Sequence, residues 1–190
     1  SWNPPVESNN ESLIRTWSSQ YLAIANANQV LDALGKMEMT DKLRAAKGEA
    51  LICRAYAHFV LVNIFCQQYD PNYPDDMGIP YMEKAETELD PKYERGTVAE
   101  VYAKIEKDIE EGLPLIDDAI YSVPKYHFNR KAAYSFAARF FLYYQKWDKA
   151  AEYASEALTN APESQLRDYE ALLEYPMNNG STQNTAATYY

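Results

Sequence analysis

Apolar residues recur along this chain at three- and four-residue steps in most places, and lose that rhythm in one long stretch near the middle. The first periodic stripe is Ile14, Trp17, Tyr21, Ile24, Asn28 and Leu31, ending near Leu34 with Gly35 just beyond. Such spacing lines up one face of an α-helix. A capping box, Ser8-x-x-Glu11, precedes it and predicts the helix start. Asn28 lies on the stripe itself, so a polar side chain is expected to face the core. A second helix is predicted from about Asp41 to Phe65 through Leu43, Ala46, Ala50, Leu51, Ala57, Leu61 and Ile64. Its second half is apolar on nearly every side, as expected of a helix covered by several neighbours. The short connection makes the two an antiparallel hairpin.

Between Gln67 and Arg95 the period disappears. Pro71, Pro74, Pro80 and Pro91 interrupt any helix, and Tyr69, Tyr73, Tyr81 and Tyr93 are spread among them. A loop this long inside a domain is usually functional or disordered. Helix returns with a second capping box, Thr97-x-x-Glu100, and a stripe of Val98, Val101, Tyr102, Ile105, Ile109 and Ile116, which Gly112 and Pro114 are expected to bend or end. Asn129 reads as the N-cap of a fourth helix to about Gln145, and a fifth runs from about Trp147 to Thr159.

The last two helices carry the most specific pattern. A tetratricopeptide unit interlocks aromatic and small residues at fixed offsets on two short helices. Tyr134, Ala137, Ala138, Phe141, Ala150, Ala154, Ala157 and Pro162 fill those offsets, with no aromatic where Ala154 stands. The expectation is an all-α fold of tetratricopeptide-like antiparallel hairpins (an α-α superhelix) with one long irregular loop. Residues 1–175 would form a single lobe: hairpin 8–66, loop 67–96, helix 97–117 and repeat hairpin 129–162. Residues 176–190 read as a tail or truncation point.

Composition narrows the function. The net charge of −10 disfavours nucleic acid and anionic membrane surfaces, whose affinity for proteins comes from Lys and Arg. No apolar run approaches the roughly 20 residues of a membrane span, and Ser1 does not begin a signal peptide. Cys53 and Cys66 are thirteen residues apart on one predicted helix. At about 1.5 Å per residue that is roughly 20 Å, too far for a disulfide, so buried free thiols are expected.

Catalytic motifs are lacking. His58 sits in the most apolar helix, where a satisfied core histidine is the ordinary outcome, and His127 in a Tyr-rich turn without a nucleophile. Asp117-Asp118 and Glu110-Glu111 read as solvated charges on helix surfaces. No enzyme activity or cofactor is expected. The loop Tyr69-Asp70-Pro71-Asn72-Tyr73-Pro74-Asp75-Asp76 combines aromatic rings, which stack on pyranose faces, with amides and carboxylates that bond hydroxyls. With Tyr81, the candidate ligand contacts are Tyr69, Asp70, Asn72, Tyr73, Asp75 and Asp76. The same loop lacks the spacing of an EF-hand, so no metal is expected there. Arg54 and Asn28, polar on apolar faces, are expected to cross-link helices.

Four separated blocks resemble the SusD-like (RagB/SusD) family of outer-membrane lipoproteins. They are Trp17 with Tyr21-x-x-Ile24-x-x-x-Asn28; Gly48-Glu49-Ala50-x-x-x-Arg54-Ala55-Tyr56-x-x-Phe59; Gly78-Ile79-Pro80 leading to Arg95-Gly96-Thr97-Val98-x-Glu100-Val101-Tyr102-x-x-Ile105-x-x-Asp108; and Lys131-Ala132-Ala133-x-x-x-x-Ala138-Arg139 followed by Trp147-x-x-Ala150. The resemblance implies the N-terminal helical lobe of a longer protein, anchored through a lipid-bearing cysteine absent from this chain. It implies a surface-exposed Gram-negative outer-membrane protein that grips an oligosaccharide over a SusC-like TonB-dependent channel. A tetratricopeptide scaffold that docks another protein is the alternative.

Overall fold

The computed structural model describes residues 12–88 and 91–158. Five α-helices follow in order: α1 (Leu13–Leu34), α2 (Asp41–Phe65), α3 (Val98–Gly112), α4 (Arg130–Tyr143) and α5 (Trp147–Ala157). Among the described residues the only extended pairing is one isolated antiparallel bridge, Met77 with Thr97. The described residues up to Ala157 form one compact unit.

Each helix begins where a side chain satisfies its free amides. Ser12 caps α1 by accepting from the Arg15 amide; the box expected at Ser8 and Glu11 lies outside the described residues. Thr40 caps α2, Asn129 caps α4, and Thr97 with Glu100 closes a complete capping box on α3. Gly112 is the last residue of α3, after which Leu113–Leu115 tightens into a 3-10 turn with Pro114 inside it.

The core runs along α2, which packs against α1 on one side and α3 on the other, while α4 and α5 pair as a second hairpin. Ile52, Leu61, Val98, Ile105, Ile109, Ala137, Phe140 and Phe141 are fully buried in it. The stripe expected on α1 holds from Trp17 onward, but Ile14, in the first turn, is 66% exposed. Ile64 is likewise 48% exposed at the far end of α2. By length and composition α2 is apolar enough to cross a membrane, although no unbroken apolar run in it is long enough. Most of the qualifying window is buried among the other helices, as suits a core helix.

A close helix approach joins α2 to the end of α3. A Cβ on Gly48 would stand 2.8 Å from the Gly112 carbonyl oxygen and 2.8 Å from the Leu115 Cβ; one on Gly112 would stand 3.0 Å from the Gly48 carbonyl oxygen. The two glycines let the backbones touch. Gly112 thus serves a crossing as well as an ending.

In the α4–α5 hairpin the aromatic expected at position 154 is supplied one residue earlier. Tyr153 packs on Tyr134 (5.8 Å between ring centres) and Phe141 (5.2 Å). Ala137, Ala150 and Ala157 are buried, whereas Ala138 is only half-buried. Pro162 lies outside the described residues. On the outer side Glu106 of α3 accepts from Lys146 and Lys149, at 2.6 and 2.8 Å, and Lys149 also reaches Glu110. Burial works against the Glu106 carboxylate, but these bonds outweigh it and hold its pKa below the usual value. Asp117 and Asp118 do not ride on a helix surface. Asp117 caps a 3-10 turn by accepting from the Ala119 amide, and Asp118 accepts from the Arg130 amide at the start of α4.

Candidate functional site

Two features occupy the long loop. The first is a strap, residues 77–84, laid over α1, α2 and α3. Gly78 allows it to start: a Cβ there would lie 2.7 Å from the Thr97 carbonyl carbon and oxygen. The Gly78 amide donates to the Gly96 carbonyl at 2.8 Å, and Arg95 donates to the Gly78 carbonyl at 2.6 Å.

Buried polar side chains then hold the strap's backbone residue by residue. Tyr21 donates to the Pro80 carbonyl (2.9 Å), and Asn28 to the carbonyls of Met82 (2.9 Å) and Lys84 (3.1 Å). Arg54 donates to the Glu83 carbonyl (3.1 Å) and to the Asn28 side-chain oxygen (2.9 Å), and makes two bonds to Asp108 at 2.7 and 2.6 Å. Tyr81 donates to Asp108 at 2.6 Å and its ring stacks on His58 at 3.7 Å.

His58 lies between the Arg54 carbonyl (2.9 Å) and the Met82 amide (3.0 Å). An amide can only donate, so Nε2 accepts from Met82 and Nδ1 carries the proton toward Arg54. Burial drives the pKa of His58 down to about 3, which keeps that neutral form. For Arg54, burial acts against the charge, yet the Asp108 hydrogen bond and charge raise its pKa overall. Burial, then Asp108, holds the Tyr81 phenol well above its ordinary range. Arg54 and Asn28 therefore cross-link helices, as their placement in the sequence predicts.

The second feature is the turn-rich segment after α2. Tyr69 points inward: its ring stacks on Tyr102 at 5.1 Å and meets Tyr144 edge-on at 4.7 Å. Asp70 accepts from both the backbone and side-chain amides of Asn72, each at 2.8 Å, closing an Asx turn. The Tyr73 amide donates to the Asp70 carbonyl at 3.0 Å, and the Val98 amide to the Asp76 carbonyl at 2.7 Å, which ties the loop's far end to α3. Gln67, Gln68, Asp70, Tyr73 and Asp76 line a shallow, open depression of about 370 Å³. Tyr73, 65% exposed, is its aromatic ring.

Of the seven candidate contacts, the structure brings Asp70, Tyr73 and Asp76 together at this surface. Asn72 braces Asp70, and Asp75 is exposed beside them. Tyr69 lies beneath, half-buried with its ring packed against the core, and Tyr81 stands apart, committed to the strap. Gln67 and Gln68 join the set without having been anticipated; their signal was a pair of amide side chains directly beyond the end of α2. Among the described residues no three His, Cys, Asp or Glu side chains are placed to hold a metal ion. Cys53 and Cys66 are free and half-buried rather than fully buried; burial, then Glu49, pushes the Cys53 thiol up to about 12, where it is protonated and unreactive at neutral pH.

Helical hairpins of this kind define the class: an all-α, tetratricopeptide-like module bearing a polar surface loop. Residues 2–142 match the SusD-like family described as starch-binding and associating with the outer membrane, and the chain belongs to that family. A solved Bacteroides vulgatus protein is 30% identical with a TM-score of 0.69, over 76% of this chain and 32% of its own. A SusD-like carbohydrate binding protein of the same species is 28% identical with a TM-score of 0.65, over 80% and 33%. A SusD superfamily protein of Bacteroides thetaiotaomicron shares the fold at 21% identity and a TM-score of 0.74, over 92% and 40%. The chain thus spans about a third of the length of such relatives. No curated protein matches it.

Proposed function

We propose that this chain is the helical lobe of a glycan-capturing, lipid-anchored protein of the outer-membrane surface, which delivers oligosaccharides to a SusC-like TonB-dependent channel. Membership of a family described as starch-binding supports the ligand class. The observation that carries the reading to particular residues is the depression at Gln67–Asp76. One exposed tyrosine ring stands beside two amides and two carboxylates, the combination that grips a sugar's apolar face and its hydroxyls. The work is binding, and no step of it calls for a nucleophile or a general base.

Affinity gel electrophoresis of the purified protein against soluble neutral polysaccharides, starch among them, tests this reading. Retardation by at least one glycan is expected, and Tyr73→Ala should weaken it by about tenfold, the lower end of what a stacked aromatic contributes at a binding surface. Migration unchanged by every polysaccharide on a broad panel would sink the proposal. Docking on the channel through the helical hairpins is compatible with this role and is read separately, by co-purification of the two.

A further inference from the structure

We propose that Gln145, in the turn between α4 and α5, is a positioning residue that sets the Tyr69–Asp76 loop. Two observations meet there. Gln145 has φ 61°, and among the described residues it is the only non-glycine with a positive φ. The turn is a helix stop in which the Gln145 amide donates to the Leu142 carbonyl (3.2 Å) and the Lys146 amide to the Phe141 carbonyl (2.9 Å). Glycine usually takes this left-handed position because a Cβ is strained there.

A glutamine at this position accepts the strain, and its side chain has a use that glycine could not supply. Nε2 donates to the Tyr69 carbonyl, 3.2 Å away and 76 residues earlier in the chain. Tyr69 opens the loop, and its ring is already clamped between Tyr102 and Tyr144, the residue just before Gln145. The bond therefore fixes the direction of the Tyr69–Asp70 peptide, between Gln68 and Asp70, which both line the depression. The helix stop accounts for the left-handed turn, and the exposed side-chain bond from Gln145 is what ties that turn to the loop.

The link to ligand rests on the proposed glycan site; the link to the loop does not, and the experiment separates them. Gln145→Gly relieves the backbone and removes the amide. Gln145→Asn keeps a residue that tolerates the left-handed conformation but cannot reach Tyr69. Amide hydrogen exchange across residues 70–76 is read in the whole protein, beside thermal melting and glycan retardation. The expected result is exchange several-fold faster in both variants, with Gln145→Gly melting no lower than the parent and glycan affinity falling about threefold to tenfold. Unchanged exchange in both variants overturns the inference, whatever the glycan data. Faster exchange with unchanged affinity upholds the positioning role and removes the loop from the glycan site.

Discussion

Among single residues, the strap shows what a polar group in a core accomplishes. Arg54 and Asp108 are both buried, so each needs the other to remain charged at tolerable cost. Replacing such a pair with apolar residues can be neutral, but removing one partner strands the other charge at about 3–5 kcal/mol. Asp108→Asn preserves shape and deletes the charge. Its melting temperature should fall by about 10 °C, at roughly 2–4 °C per kcal/mol for a unit of this size; a change under about 2 °C would mean that Arg54 has another counter-charge. His58 makes a prediction about pH. Its pKa in the folded protein, about 3, lies below the ordinary 6.5 of the unfolded chain. The unfolded state therefore takes up a proton first. The stabilising contribution is complete above about pH 6.5 and is lost progressively as pH falls toward 3. Ordinary Glu carboxylates begin to protonate about a unit above their pKa of roughly 4.3, so His58 is read from the melting temperature between about pH 6.5 and 5.5. Its slope there should flatten in His58→Gln. At this scale Asn28, Arg54 and His58 were legible as polar residues on apolar faces. Asp108 was equally available, three residues after Ile105 and one before Ile109, but nothing local says which arginine it meets.

Two helix starts were legible among the elements because capping is local chemistry: Thr97 and Asn129 each accept from the amide three residues ahead, as Thr40, which the sequence reading passed over, also does. Helix ends were less so. The stop after Tyr143 uses a glutamine in a position where glycine is the ordinary signal, so the fourth helix read as two residues longer than it is. The same blindness applies to close crossings. Gly48 sits mid-helix, where alanine would favour the helix by about 1 kcal/mol. Its Cβ would press on the Gly112 carbonyl and the Leu115 Cβ, and forced packing costs about 1–3 kcal/mol. Gly48→Ala should therefore be net destabilising, by up to about 2 kcal/mol in denaturant unfolding. A stabilised variant would show that α2 and α3 can separate without loss.

Taken whole, the chain owes its all-α architecture to what the sequence states locally: the helical period of its apolar residues, its caps, and the alternation of small and aromatic residues in the last hairpin. Each depends on neighbours within about four positions, so each can be read without knowing the fold. The long loop obeys no such period. The sequence marked it as aperiodic, proline-rich and tyrosine-rich, and nothing in it separated Tyr69, Tyr73 and Tyr81 as ligand contacts. Only the tertiary structure decided that Tyr69 and Tyr81 turn inward, that Tyr73 faces solvent beside Gln67 and Gln68, and that Gln145 braces the loop from 76 residues away. The physical reason is that a buried polar group or ring is satisfied by whatever packing brings near it, and that proximity is set by the crossing of helices rather than by order along the chain.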